Sequence, residues 1–136
     1  MTTARDIMTA GPDFVDGSMT VLDVAKKLAA GNYGSLPICD GEKVTGMITD
    51  RDIVVKVLAE GKDPASTKVI DLVQGEVVTI GAGDSIEDAA RTMAKHQVRR
   101  LPVIDGTRLV GVLAQADLAR SGDDNATGNT VQAISE

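Results

Sequence analysis

The chain has almost no aromatic side chains and a single cysteine. Its 136 residues include no tryptophan, and Phe14 and Tyr33 are the only aromatics. Proteins that bind single-stranded nucleic acid stack bases on aromatic rings, so we do not expect this class of partner. Cys39 cannot form a disulfide within the chain, which favours a reducing compartment. Because it stands in the apolar run 36–39, we predict a small buried hydrophobe rather than a reactive thiol.

Long apolar runs and catalytic motifs are also missing. No stretch approaches the roughly 20 apolar residues of a membrane span, and residues 1–6 lack the apolar centre of a secretory signal, so we expect a cytoplasmic protein. No catalytic triad order, P-loop or zinc-protease motif occurs, and His96 has no cysteine at metal-ligand spacing. We therefore expect neither an enzyme nor a metal site.

The charge of the chain is negative overall but unevenly distributed. Fourteen basic and twenty acidic residues give a net charge of −6, which argues against a nucleic-acid surface. Residues 91–110 differ, because their basic residues outnumber their single acid, Asp105. These basic residues are Arg91, Lys95, Arg99, Arg100 and Arg108. The segment is either an anion site or a solvated helix end whose cations complement the helix dipole.

The chain contains an internal repeat. A shift of 65 positions aligns residues 6–55 with residues 71–120 without a gap, and ten of the fifty aligned positions are identical. Both copies have apolar residues at i, i+3, i+4, i+7 and i+8, starting at Val21 and at Ile86, which predicts an amphipathic helix in each. Asp84 is the predicted N-cap of the second of these helices.

Each predicted helix is followed by an apolar run, an Asp-Gly pair and a second apolar run, which is typical of a β-hairpin. A short apolar segment before each helix predicts one more strand, so each copy is a β-α-β-β-α unit. The predicted strands are 14–15, 36–39 and 44–48 in the first copy and 77–80, 101–104 and 109–113 in the second.

The fold class that follows is α/β (α+β), with two pseudo-symmetric repeats. We assign residues 1–65 to the first repeat and residues 66–121 to the second. One unit is too small to bury its own sheet face, so the repeats are expected to pack sheet to sheet. The stretch after Arg120 is polar and cannot bury apolar area, so we predict a mobile tail over residues 122–136. Docking of residues 131–134 on the core is the alternative, which nothing in the sequence requires.

The last helix of the first copy has an apolar arc that is too wide for one packing face. On a helical wheel this arc spans roughly 200°, whereas one face needs roughly 100°. Its members are Ile53, Val54, Val55, Val57 and Leu58. We therefore predict a homodimer whose interface includes these residues.

The segment from Gly46 to Ile53 has features of a site for a small anionic polyol. Gly46 permits close backbone approach, Thr49 offers a hydroxyl at a helix N-terminus, and Asp52 can accept two hydrogen bonds from a ribose diol. The same Thr-x-x-Asp spacing is also an ordinary capping box, and it occurs at Thr3-x-x-Asp6 as well. The segment alone is compatible with either interpretation.

The doubled pattern resembles a tandem pair of cystathionine-β-synthase (CBS) domains, or Bateman module, over residues 4–120. The resemblance rests on Gly34-Ser35-Leu36-Pro37-Ile38 with Gly46-x-x-Thr49-x-x-Asp52-Ile53, and on Arg99-Arg100-Leu101-Pro102-Val103 with Gly111-x-x-Ala114-x-x-Asp117-Leu118. The opening Thr-Ala-Arg-Asp-Ile-Met also resembles small actinobacterial stress-response proteins of this family.

The resemblance implies a stand-alone regulatory module with two clefts that bind AMP, ATP or S-adenosylmethionine. It implies that Thr49 contacts phosphate or ribose, that the two aspartates hold ribose hydroxyls, and that the arginines before Leu-Pro reach phosphate. The implied ligand-binding residues are Gly46, Thr49, Asp52, Arg99, Arg100, Gly111 and Asp117. Ala114 replaces the threonine in the second copy, which puts that cleft in doubt.

Three functions remain open. The leading hypothesis is a dimeric sensor of an adenosyl nucleotide whose packing is read by an unknown protein partner. The second is a ligand-free structural or adaptor protein of the stress response that kept the fold. The third, a nucleotide-hydrolysing enzyme, is disfavoured because the sequence offers no acid–base pair and no metal site.

Overall fold

The structure is a computed structural model that describes residues 1–121, and the chain divides into two compact units. The first, which we call the inserted unit, is residues 13–77. The second, the split unit, combines residues 1–12 with the chain from residue 78 onward. The predicted mobile tail, 122–136, lies outside the described residues.

The order of elements contains the predicted β-α-β-β-α pattern twice, so the α/β fold class is confirmed. Along the chain they are α1 (Ala4–Ile7), β1 (Thr9–Ala10), β2 (Val15–Asp16), α2 (Val21–Gly31), β3 (Ser35–Asp40), β4 (Lys43–Thr49), α3 (Asp50–Ile53), a π-helical turn (Val54–Leu58), a 3-10 helix (Val69–Leu72), β5 (Ile80–Gly81), α4 (Ile86–His96), β6 (Arg100–Asp105), β7 (Arg108–Ala114) and α5 (Gln115–Arg120). Between residues 1 and 121 no helix has the length and hydropathy needed to cross a membrane.

The inserted unit contains the strand order β2-β3-β4. β2 runs parallel to β3, and β3 forms an antiparallel hairpin with β4. Gly41 opens the hairpin loop with φ +61°, a conformation that glycine adopts without strain. Apolar residues of the sheet, of α2 and of the segments around them form its core. They are Val15, Val21, Val24, Leu28, Leu36, Ile38, Ile48, Ile53, Val57, Val69 and Leu72.

The split unit repeats this arrangement and adds one strand. β5 is parallel to β6, β6 forms a hairpin with β7, and β1 pairs antiparallel with β7. β1 was not among the predicted strands, because Thr9 and Ala10 carry no alternating apolar pattern and belong to a pairing of only two residues. The core consists of Ala4, Ile80, Ala82, Ile86, Ala89, Ala90, Met93, Leu101, Val103, Leu113 and Leu118.

The predicted N-cap of α4 is wrong by one residue. Ser85 is the N-cap, and its Oγ accepts a hydrogen bond from the Asp88 N–H at 3.1 Å. The Asp84 carboxylate instead accepts from the Gly81 N–H at 2.9 Å, which closes the turn before the helix. Serine and aspartate are both good N-cap residues, but the Asp84 carboxylate is already bonded to the Gly81 N–H, so Ser85 caps the helix.

The two copies exchange their leading segments. The Ala4 N–H donates to the Asp84 carbonyl at 2.8 Å, which ties the first residues of the chain to the second copy. In the inserted unit, the Val69 N–H donates to the Met19 carbonyl at 2.9 Å. Residues 1–12 thus complete a unit made mostly of the second copy, and residues 66–77 complete the first. The division of the repeat at residue 65 stays a prediction about the sequence.

Candidate functional site

Thr49 and Asp52 form a reciprocal capping box where β4 passes into α3. The Asp52 N–H donates to Thr49 Oγ1, and the Thr49 N–H donates to Asp52 Oδ2, both at 3.0 Å. The helix-cap interpretation is therefore correct, but it leaves part of the site unused. The Thr3 hydroxyl donates to Asp6 at 3.1 Å, whereas the structure gives the Thr49 hydroxyl proton no acceptor among residues 1–121.

Ser35 places a second hydroxyl beside this capping box. It pairs with Thr49 across the β3–β4 hairpin, and the Gly34 carbonyl accepts from the Asp50 N–H at 3.0 Å. Ser35 Oγ is buried and has no hydrogen-bond partner in the described part of the chain. A buried hydroxyl without a partner costs about 1–3 kcal/mol. Ser35 was not assigned a role from the sequence, although it occupies the repeat position of Arg100.

The carboxylate of Asp52 remains partly exposed. Lys56 Nζ lies 3.4 Å from Asp52 Oδ1 and 3.4 Å from the Leu72 carbonyl oxygen, so the ammonium group is shared between two acceptors. The Asp52 side chain is 26% exposed. Thr49 and Asp52 therefore leave a hydroxyl proton and part of a carboxylate to a polar ligand, and the buried Ser35 hydroxyl belongs to the strand position opposite Thr49.

The two glycines of the predicted site are explained by packing. A β-carbon on Gly46 would lie 2.8 Å from Val73 Cγ2, and one on Gly111 would collide with the Met8 side chain. Met8 and Val73 are equivalent positions of the repeat, so each leading segment lies against the glycine of the other copy. The role of these glycines toward a ligand stays a prediction.

The equivalent site of the split unit is organised differently. Ala114 has a backbone conformation close to that of Thr49 but no hydroxyl, and Asp117 Oδ2 accepts from the Ala114 N–H at 2.7 Å. The guanidinium of Arg120 donates to Asp117 Oδ1. Asp117 is only 5% exposed, and both of its oxygens accept hydrogen bonds from the protein.

Arg99 and Arg100 lie at the start of β6, next to the N-terminus of α5. Arg100 pairs with Ala114 across the hairpin, and the Arg99 carbonyl accepts from the Gln115 N–H at 2.8 Å. Both side chains are exposed, as a phosphate contact requires.

The other basic residues of segment 91–110 belong to different surfaces. Arg91 lies on α4 with its guanidinium bonded to Asp88, and Arg108 opens β7 at the far end of the hairpin. Lys95 and His96 form part of the last turn of α4, as cations that complement a helix dipole do. The helix-end interpretation therefore applies to Lys95, whereas the anion site at Arg99 and Arg100 stays a prediction.

The helical segment predicted at the dimer interface has some of its apolar side chains in the core and the others on the surface. Ile53 and Val57 are buried in the inserted unit, whereas Val54, Val55 and Leu58 are 55%, 46% and 57% exposed. The wide arc is therefore one buried face and one exposed apolar patch. The homodimer itself stays a prediction.

Cys39 is 2% exposed, so the predicted buried hydrophobe is confirmed, and its burial raises the pKa of the thiol. Residues 1–121 bring together no group of three or more His, Cys, Asp or Glu side chains that could hold a metal ion.

A family model for the CBS domain matches residues 4–59 and again residues 69–124. Hypoxic response protein 1 of Mycobacterium tuberculosis is 43% identical over 135 residues, which cover 98% of this chain and 94% of that protein. A crystal structure of Hypoxic Response Protein I with two coordinated zinc ions has a TM-score of 0.82 and 44% identity, covering 88% of this chain and 98% of that one.

Two further solved structures contain adenosyl ligands. CBSX2 in complex with AMP is 25% identical with a TM-score of 0.77, and the match covers 92% of this chain and 98% of that chain. The CBS domain pair of MJ0100, in complex with 5-methylthioadenosine and S-adenosyl-L-methionine, is 28% identical with a TM-score of 0.78 and the same coverage. The fold that binds these ligands is therefore shared along nearly the whole chain.

Proposed function

Because the chain belongs to the CBS-domain family, we propose that it is a non-enzymatic regulatory module that binds an adenosyl nucleotide of the AMP, ATP or S-adenosylmethionine type. The observation that carries the proposal is the buried hydroxyl of Ser35, which has no partner in the described residues and lies opposite Thr49. A ligand oxygen that pairs with this hydroxyl removes its desolvation cost.

The chemistry of the inserted unit fits a ribose phosphate. The Thr49 and Ser35 hydroxyls can donate to phosphate or ribose oxygens, and the accessible Asp52 oxygen can accept from a ribose hydroxyl. All the adenosyl ligands in the related structures contain a ribose, and those of MJ0100 lack a phosphate on it. A site made of hydroxyls and one carboxylate accommodates both kinds.

Signalling would pass through the packing of a homodimer to a protein partner. Val54, Val55 and Leu58 form an exposed apolar patch on the π-helical turn that directly follows α3, the helix that contains Asp52. The capping box joins Thr49 and Asp52 to the first turn of this segment. A ligand that forms a hydrogen bond with either side chain therefore contacts the same helical segment that carries the apolar patch. Identifying the protein partner would show which process the module regulates.

Titration calorimetry with AMP, ATP and S-adenosylmethionine tests the proposal. Asp52→Ala is expected to weaken binding at least tenfold, because a hydrogen bond to a charged group contributes about 1.5–3 kcal/mol. Ser35→Ala is expected to weaken it by a smaller factor. Asp6→Ala is the matched control, since Asp6 caps α1 in the same way as Asp52 caps α3. Equal losses in the Asp6 and Asp52 variants would contradict a ligand role for Asp52.

A ligand-free adaptor is the second candidate, and the engaged carboxylate of Asp117 favours it. Both Asp117 oxygens already have protein partners, and Ala114 supplies no hydroxyl. If none of the three compounds binds at millimolar concentration or raises the melting temperature, the adaptor becomes the better account. A ligand at 100 times its dissociation constant should stabilise the folded state by about 2.7 kcal/mol.

A further inference from the structure

Asp117 is the only charged side chain that the structure buries among residues 1–121, and Arg120 covers it. The Arg120 side chain is 73% exposed, and among residues 1–121 its side-chain partner is Asp117 alone. The contact therefore joins a buried acceptor to a guanidinium that is free to move into solvent. Displacing the arginine would expose one carboxylate oxygen while the other stays bonded to the Ala114 N–H.

The inserted unit lacks this cover. Val55 occupies the repeat position of Arg120, and the cation near Asp52 is Lys56, which is shared with a backbone carbonyl. A lysine at 3.4 Å from one carboxylate oxygen restrains it less than a guanidinium hydrogen bond does. The two sites therefore differ in what a ligand must displace.

We propose that Arg120 is a specificity-determining residue that restricts the site of the split unit to phosphorylated ligands. The inference rests on the proposed function. A ribose diol reaches Asp117 only after the guanidinium has left, and an uncharged nucleoside offers that guanidinium nothing in return. A nucleotide offers the guanidinium a new partner, because its phosphate can accept a bidentate hydrogen bond from arginine.

The surroundings of Arg120 support an exchange from carboxylate to phosphate. Arg100 stands across the hairpin from Ala114, and Arg99 bonds through its carbonyl to the first residue of α5. Arg99 and Arg100 therefore lie next to the N-terminus of α5, and Arg120 lies in its last turn. A phosphate attracts all three, whereas a nucleoside attracts none.

The test compares AMP with adenosine by titration calorimetry in an Asp52→Ala background, which leaves the site of the split unit to be measured. Arg120→Ala and Arg120→Gln are both expected to tighten adenosine and to weaken AMP, so that the preference for AMP falls about tenfold or more. Arg91→Ala is the matched control. Arg91 makes the same i, i+3 pair with Asp88 on the surface of α4, so its loss removes equal charge without uncovering a site.

Two results would overturn the inference in distinguishable ways. If the Arg120 variants and the Arg91 variant change the AMP preference equally, the effect is one of net charge, and the proposed function stands without this role for Arg120. If neither compound binds to the wild type or to any variant, the proposed function fails together with the inference. A side-chain nitrogen resonance of Arg120 that shifts with AMP and not with adenosine would support the exchange directly.

Discussion

Val73 packs so closely on Gly46 that a β-carbon on the glycine would come within 2.8 Å of Val73 Cγ2 and 3.2 Å of its Cγ1. Valine has a stiff, branched side chain that cannot turn away without a backbone shift. Gly46→Ala is therefore expected to lower the free energy of unfolding by about 1–3 kcal/mol, as overpacked cores do.

Urea unfolding of the double variant identifies the cause of this loss. Val73→Ala in the same chain removes both offending methyl groups, so it should recover part of the stability lost in Gly46→Ala. Gly83→Ala is the control, because a β-carbon there meets nothing within 4 Å and the glycine has no positive φ. Additive losses from Gly46→Ala and Val73→Ala would contradict the packing explanation.

A threonine at Ala114 is expected to stabilise the protein. Ala114 has φ −102° and ψ 156°, and Thr49 has φ −118° and ψ 158°, so the new hydroxyl can accept from the Asp117 N–H as Thr49 Oγ1 does from Asp52. We expect a gain of about 1 kcal/mol from Ala114→Thr and a comparable loss from Thr49→Ala, measured by urea unfolding. We also expect Ala114→Thr to strengthen nucleotide binding by the split unit. No gain in stability would show that the hydroxyl fails to cap α5.

Val55→Glu is expected to dissociate the predicted homodimer and leave the protomer folded. Val55 is 46% exposed, so a carboxylate there is compatible with the protomer but would be desolvated in an apolar interface. Sedimentation at tens of micromolar measures the association, and circular dichroism checks the fold. Leu22→Glu is the control, because Leu22 is an exposed apolar residue of α2 outside the patch. A monomeric wild type at this concentration would remove the prediction.

Periodicity predicted the helices and hairpins well because both depend on local signals. The apolar spacing from Val21 and from Ile86 located α2 and α4 within their observed bounds. The Asp-Gly pairs located both hairpins, with Gly41 and Gly106 at φ +61° and +66°. Burial was predicted less well at stripe ends, since Ala29 is exposed although it fits the apolar spacing.

What the sequence could not show depends on contacts distant along the chain. The position of Met8 against Gly111 and that of Val73 against Gly46 require the exchange of leading segments, which a repeat alignment does not contain. The partnerless hydroxyl of Ser35 becomes visible only when its neighbours are known. Likewise, Arg120 is an ordinary last-turn cation in the sequence, and its cover over Asp117 exists only in the folded protein.

The split unit has a consequence for the order in which the protein can fold during synthesis. Residues 1–12 leave the ribosome before the inserted unit, yet the backbone partners of Arg5 and Ala4, at Ala82 and Asp84, are made almost eighty residues later. The inserted unit is complete as soon as residue 77 has emerged. Residues 1–12 therefore stay without their backbone partners until the second copy has been made, and the split unit is the second of the two to complete folding.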